Sequence, residues 1–197
     1  MKKIGFFGGT FDPIHFGHIN LALQLMEIHQ LDEVIVCPAG RSPFKTHLAP
    51  IAAASHRLTM AELAIEDIDS FRLSRIEIEK PGISYTIDTL RELRKDLDEK
   101  TELFLLLSVD AIETFHLWKD PEAIVELARP LIGSRGDVQL PIPPSPVENA
   151  LRWGLTPTLL LEISSTQIRD RLKKRLYCGH LANAKVLDYI QRFSLYS

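Results

Sequence analysis

The apolar positions near the amino terminus form a short block, Ile4, Phe6 and Phe7, followed by Gly8-Gly9, a proline at 13, and then a longer stretch with helical spacing. The block suits a buried strand, the glycine pair predicts a turn taken at positive φ, and Pro13 delays any helix to about Phe16. From Ile19 to Ile28 the side chains of Leu21, Ala22, Leu23, Leu25, Met26 and Ile28 cover more than one face, which predicts a core helix packed on two sides. Residues 34–37, Val-Ile-Val-Cys, are a β-branched run closed by Pro38 and Gly40 and predict a second buried strand. Strand, helix, strand implies a right-handed parallel crossover.

The alternation continues along the chain. Residues 52–68 repeat apolar side chains at helical spacing, with Ser55 as a candidate cap and Arg57 placed for a structural ion pair. Residues 71–79 alternate and predict a half-exposed strand ending at Pro81-Gly82. Ser84 or Thr86 should cap a helix that buries Ile87, Leu90, Leu93 and Leu97. The unbroken apolar run 103–107 reads as a central strand covered on both faces. Pro121 opens a short helix to about Ala128, and residues 131–133 form a brief strand. The proline-rich residues 141–146 are an extended connection, and a last strand is expected at 158–161. Hydroxyl residues at 164–166 then start a helix carrying Ile168, Leu172 and Leu176, and a final packed helix holds Val186, Leu187, Tyr189, Ile190 and Phe193. This order predicts an α/β fold with a doubly wound, mostly parallel sheet, a single domain over residues 1–197, and a ligand site at the carboxyl edge.

Composition narrows the function classes. The chain has 197 residues and a formal net charge of −3, so no broad positive field is present for a nucleic-acid backbone or an anionic membrane. Cys37 and Cys178 are too few for a disulfide framework and fit a reducing cytoplasm. Met1-Lys2-Lys3 runs straight into the first strand, and no apolar run approaches bilayer length, so neither a secretory leader nor a membrane span is expected.

The chemistry concentrates at two strand-to-helix turns. In Gly-Gly-Thr-Phe-Asp-Pro-Ile-His-Phe-Gly-His, residues 8–18, His15 and His18 stand three residues apart at a helix mouth, where free backbone amides and the positive end of the dipole favour a phosphate. Two imidazoles so placed can hold phosphoryl oxygens without covalent attachment. The Gly-x-Gly-x-x-Gly spacing of a dinucleotide-binding dehydrogenase and the Gly-Lys-Ser/Thr ending of a P-loop are both absent. The second turn is Ile-Ser-Ser-Thr-Gln-Ile-Arg, residues 163–169.

The first run resembles the Thr/His-x-Gly-His signature of the nucleotidylyltransferase superfamily, and the second resembles the Ile-Ser-Ser-Thr-x-Ile-Arg signature of its nicotinate-mononucleotide adenylyltransferases. The resemblance spans nearly the whole chain and implies a Rossmann-like, nucleotidylyltransferase-type fold. It implies that His15 and His18 are catalytic and that Gly8, Gly9, Thr10 and Phe11 lie along the ATP phosphates. Ser165, Thr166 and Arg169 would grip the same triphosphate, and Lys45 would neutralise it from a loop that resembles Pro-Pro-His-Lys with Phe44 in the histidine position. Ser84-Tyr85-Thr86 resembles the segment beside the pyridine carboxylate, so Tyr85 and Thr86 are candidates for that end of the substrate. Asp110, in Ser108-Val109-Asp110, would contact sugar or substrate, and Trp118 would stack on the pyridine. Ser134-Arg135-Gly136 resembles Arg-Pro-Gly without its proline.

The implied reaction moves AMP from ATP to nicotinate mononucleotide, giving deamido-NAD and pyrophosphate. Mg²⁺ would be held mainly by phosphate oxygens and water, because no dedicated carboxylate cluster is visible in the sequence. No nucleic-acid or membrane partner is expected, and a homo-oligomer is left open. Two alternatives stand beside this reading. One is a phosphopantetheine adenylyltransferase or cytidylyltransferase built on the same first motif. The other is a non-catalytic nucleotide-binding regulator, for which Phe44 and Ser108 are the features to cite.

Overall fold

The computed structural model describes residues 1–41, 50–80, 82–134, 142 and 144–196. Among the described residues the strands are β1 (Lys3–Gly9), β2 (Glu33–Pro38), β3 (Phe71–Leu73), β4 (Glu102–Ser108), β5 (Arg129–Ser134) and β6 (Leu155–Pro157). They form one parallel sheet in the order β3-β2-β1-β4-β5-β6. The order reverses at β1, the doubly wound arrangement that the strand–helix alternation predicts. The chain falls into two compact units: Met1–Phe7, Leu21–Ile35 and Tyr85–Leu160 make the first, and Gly8–Asn20, Val36–Ser84 and Leu161–Ser197 the second.

In the first unit β4 lies between β1 and β5, pairing Ile4 with Leu103 and Leu106 with Leu131, and β5 pairs Ile132 with Leu155 of β6. The run read as a central strand is therefore central, and Leu103 to Leu107 are buried throughout. Helix α1 (Phe16–His29) opens at the expected residue, but it buries only Leu21, Ala22 and Leu25. Ile28 is 51% exposed, so the helix packs one stripe rather than two faces.

In the second unit α2 (Ala54–Ile65) buries Met60, Ala61, Ala64 and Ile65. Its cap position is Ala53, not Ser55, whose carbonyl instead accepts a hydrogen bond from Thr59 Oγ1. Residues 71–79 are not one strand. The chain leaves β3 after Leu73 and turns into the short helix α3 (Ile76–Glu79), since Phe71, Ser74 and Glu77 are the buried positions and a three-residue period cannot be a strand's. Of the expected Pro81-Gly82 turn, Gly82 has a φ of 102° and Pro81 lies outside the described residues.

Helix α4 (Thr86–Lys95) buries Ile87, Thr89, Leu90 and Leu93, while Leu97 lies beyond its end. Neither Ser84 nor Thr86 caps it; Tyr85 holds that position without a side-chain bond, and the Ser84 hydroxyl faces the Arg41 backbone N–H at 3.4 Å. After β4 come a single 3-10 turn (Val109–Ala111), α5 (Ile112–Phe115) and α6 (Pro121–Leu127). The last strand is also displaced. Helix α7 (Glu148–Gly154), held by an Arg152–Glu148 pair one turn apart at 2.9 Å, leads directly into β6, and Leu159 in the expected strand is 80% exposed. Helices α8 (Ser165–Lys173) and α9 (Ala184–Arg192) form where the sequence puts them, but Leu176 and Phe193, expected on their packed faces, lie beyond their ends and are exposed. Among the described residues no helix is long and apolar enough to cross a membrane.

Candidate active site

The turn between β1 and α1 is built in a way the glycine pair does not reveal. Gly8 and Gly9 remain in the strand, and the left-handed residue is Phe11, at φ 49°. A bulky side chain at positive φ is strained and persists only where its surroundings hold it. Here a Cβ at Gly9 would meet the Phe11 ring at 2.7 Å, so the glycine is needed for the ring rather than for its own backbone angle. The Asp12–Pro13 peptide is cis, and Ile14 and His15 are buried before α1 begins.

Backbone carbonyls of this turn are gripped one after another. Gly9 accepts from the Ala39 N–H at 2.8 Å, Thr10 from Arg57 Nη1 at 2.7 Å, Asp12 from Arg169 Nη1 at 2.7 Å, and Pro13 from Ser165 Oγ at 2.8 Å. Arg57 is 1% exposed and also donates to the carbonyls of Gly40 and Ala52. It is structural, as expected: it donates to these carbonyl oxygens, and the Asp12 and Glu77 carboxylates favour its charge. The Asp12 side chain, 5% exposed, takes the N–H groups of Ile51 and Ala52 at 2.9 and 3.1 Å and the Tyr196 hydroxyl at 2.6 Å. A buried carboxylate is tolerable because donors surround it.

The histidines emerge from this anchored turn. Their rings stack with centroids 3.6 Å apart, and the His18 ring also meets the edge of Phe11 at 5.1 Å. A Cβ at Gly17 would approach both the His15 ring and the Leu161 carbonyl at 3.1–3.2 Å, which explains the glycine between the imidazoles. His18 Nδ1 accepts the backbone N–H of His15 at 3.2 Å, so the neutral His18 ring carries its proton on Nε2 and acts there as a donor. His15 is 5% exposed, its Nδ1 has no hydrogen-bond partner among the described residues, and burial lowers its pKa to about 4. At neutral pH it is therefore an uncharged polar ring, not a cation.

That depression has a measurable consequence. The unfolded chain protonates His15 near pH 6.5 and the folded chain only near pH 4, so between those values the unfolded state binds more protons and stability falls as the pH falls. Between pH 7.5 and pH 5 the His15 contribution should amount to roughly 2 kcal/mol of lost stability, by integrating the linkage relation. Urea unfolding at the two pH values checks this: His15→Gln should flatten the dependence, and an equal fall in both proteins would contradict it.

The second motif holds the same turn from its far side in sequence, through Ser165 and Arg169. Ser164 caps α8 by accepting the Gln167 N–H at 3.1 Å, which leaves the Ser165 and Thr166 N–H groups as donors at the helix start. Arg169 forks between the Asp12 carbonyl and Thr166 Oγ1 at 3.0 Å. Ile168, Cys178, Leu181 and Ala182 form the core beneath, and the Leu181 carbonyl accepts the Phe16 N–H at 3.0 Å, which ties that core to the start of α1. His15, His18, Ser165, Thr166 and Arg169 are thus assembled around one turn inside the second unit. The arrangement gathers the Arg169 guanidinium with imidazole, hydroxyl and amide donors, a chemistry suited to a phosphate chain.

The residues expected at the other end of the substrate lie in the first unit. Tyr85 precedes α4 and Thr86 begins it, and Lys119 Nζ sits 4.8 Å from the centre of the Tyr85 ring while pairing with Asp88 at 2.8 Å. The neighbouring Trp118 packs on Phe115 at 4.9 Å, and Asp110 is exposed in the 3-10 turn after β4. Lys45 and Phe44 lie outside the described residues, as do Arg135 and Gly136.

The cytidylyltransferase-like family profile matches residues 6–171. A "Probable nicotinate-nucleotide adenylyltransferase" of Thermus thermophilus is 39% identical over 196 residues, covering 98% of this chain and 99% of the relative. One of the same name from Methylacidiphilum infernorum is 35% identical over 202 residues, covering 98% and 92%. The chain belongs to the nicotinate-nucleotide adenylyltransferase family. A solved structure, "Plasmodium falciparum nicotinic acid mononucleotide adenylyltransferase complexed with NaAD", superposes with a TM-score of 0.76 at 22% identity over all of this chain and 98% of that one, a likeness of fold.

Three contributors in this adenylyltransferase-family chain escape a reading of the motifs: Asp12, Gly17 and Tyr196. The first two lie inside the quoted run, where an acidic residue before a proline and a glycine between histidines are visible but uninterpreted. Tyr196 carries no local signal at all.

Proposed function

We propose that the chain transfers the AMP moiety of ATP to nicotinate mononucleotide. The single observation behind this reading is that α8 reaches back 157 positions, through Arg169, to the carbonyl of Asp12 in the turn that presents the two histidines. Two motifs far apart in sequence build one phosphate cradle. The family membership and the names of the relatives point to the same acceptor.

In this mechanism a phosphate oxygen of the mononucleotide attacks the α-phosphorus of ATP in line, the bond to the bridging oxygen breaks, and pyrophosphate leaves with that electron pair. His18 Nε2–H, Arg169 and the amides at the start of α8 stabilise the charge that builds on the phosphoryl oxygens, while the anchored turn keeps these donors in place. Neutral His15 adds a dipole from beneath its partner. Among the described residues no three metal-ligating side chains cluster, and the cradle offers imidazole, hydroxyl and guanidinium groups rather than carboxylates. Mg²⁺ would be held through the triphosphate oxygens and water, where it would screen charge. The two free, buried cysteines support a reducing cytoplasm, and burial pushes the Cys37 thiol up to about 12.

Pyrophosphate release with ATP and each of nicotinate mononucleotide, nicotinamide mononucleotide and phosphopantetheine, run in parallel, tests the reading. The pyridine mononucleotide should be the productive acceptor, and turnover with phosphopantetheine alone would reject it. For the pyridine end, Trp118→Ala should raise KM for the mononucleotide while leaving KM for ATP nearly unchanged. An equal rise in both would count against stacking by this ring.

A further inference from the structure

We propose that Tyr196 is a positioning residue that locks the phosphate-binding turn through the Asp12 carboxylate, an inference that rests on the adenylyl-transfer reading. Its hydroxyl donates to Asp12 Oδ1 at 2.6 Å across 184 positions of sequence, and both residues are buried. The same carboxylate receives the Ile51 and Ala52 N–H groups, and the carbonyl of the same residue receives Arg169 Nη1. Asp12 is thus the node at which the chain before α2, helix α8 and the segment carrying Tyr196 meet, directly after Phe11 with its positive φ.

Among the described residues the charged groups facing this node are Arg57 from α2 and Arg169 from α8, and Glu77 from α3 acts on Arg57. Burial, followed by the bond to Asp12, pushes the Tyr196 hydroxyl well above its ordinary range, so it stays a donor throughout the working pH range. Without that donor, Oδ1 keeps, among the described residues, the Ala52 N–H alone, and the carboxylate can swing and carry the Asp12 carbonyl away from Arg169. Donors that must meet a phosphoryl group tolerate displacements of only about half an ångström, so the expected effect is on turnover more than on binding.

Tyr196→Phe keeps the ring and removes only the hydroxyl. Tyr189→Phe is the control: it removes a hydroxyl bonded to His56 Nδ1 at 2.9 Å on α9, away from the turn. The expected result for Tyr196→Phe is a fall in kcat of about tenfold, the loss of one hydrogen bond to a charged group. KM for ATP and for the mononucleotide should stay within about twofold, and the amides of Ile51, Ala52 and His15 should exchange hydrogen faster. Tyr189→Phe should leave kcat and those amides unchanged. If Tyr196→Phe does not fold, native-state exchange of the wild-type protein carries the test: the Ile51 and Ala52 amides should open together with those of Ser194 and Leu195 beside Tyr196, and independent opening overturns the lock. Unchanged exchange at the three amides overturns the lock, as does wild-type kcat in the folded variant or an equal loss in both tyrosine variants. A wild-type protein that transfers AMP to no mononucleotide would overturn the functional reading instead, and hydrogen exchange would still decide the lock.

Discussion

His18→Ala is expected to fold normally and to lose roughly a hundredfold or more in turnover, the effect typical of removing one transition-state donor. The half-buried ring covers little core, so its loss threatens the fold far less than it threatens the chemistry. What disappears is an Nε2–H whose tautomer is set by the His15 N–H on Nδ1 and whose tilt is set by stacking on His15 and by the Phe11 edge. His18→Gln, which retains an N–H at comparable reach, should recover part of the rate. Steady-state pyrophosphate release beside circular dichroism decides the matter, and a folded alanine variant with near-normal turnover would remove His18 from the role.

Arg169→Met should be comparably damaging, on the order of a hundredfold in kcat/KM, but for two combined reasons. It takes a cation out of the cradle, and it releases the Asp12 carbonyl that Nη1 holds at 2.7 Å. Arg169→Lys separates the two. Lysine restores the charge yet cannot bridge the Asp12 carbonyl and Thr166 Oγ1 with a planar fork, so it should recover only part of the loss. Titration with a non-hydrolysable ATP analogue, alongside initial rates, provides the comparison. A lysine variant equal to wild type would mean that charge alone matters and that the grip on the turn does not.

Much of this site was legible because its signals are local. A proline at 13 delays a helix, hydroxyls at 164–166 begin one, and an apolar run from 103 to 107 marks a strand covered on both faces. Each of these depends on near neighbours in sequence. The misreadings arise where a tertiary contact outweighs the local pattern. Residues 71–79 alternate like a strand, but burial of Ser74 and Glu77 turns the chain into α3. The glycine pair looks like the turn, yet the positive φ belongs to Phe11, whose ring needs the space that Gly9 leaves open. Leu159 and Leu161 look like strand residues and are exposed, because β5 has already paired with residues 155–157. The Asp12–Tyr196 bond could not be read at all, since its two ends share no periodicity.

In this mechanism His18 acts by hydrogen bonding and His15 as the neutral ring stacked on it, and neither forms a bond to phosphorus. Both are nucleophilic side chains by chemical type, so the alternative is a phosphohistidine formed and then discharged. The stereochemical course at the α-phosphorus, followed with ATP made chiral there by sulfur and oxygen isotopes, separates the two. One direct in-line displacement inverts the centre, and inversion is the predicted result; retention, the mark of two displacements through a covalent enzyme intermediate, would contradict it.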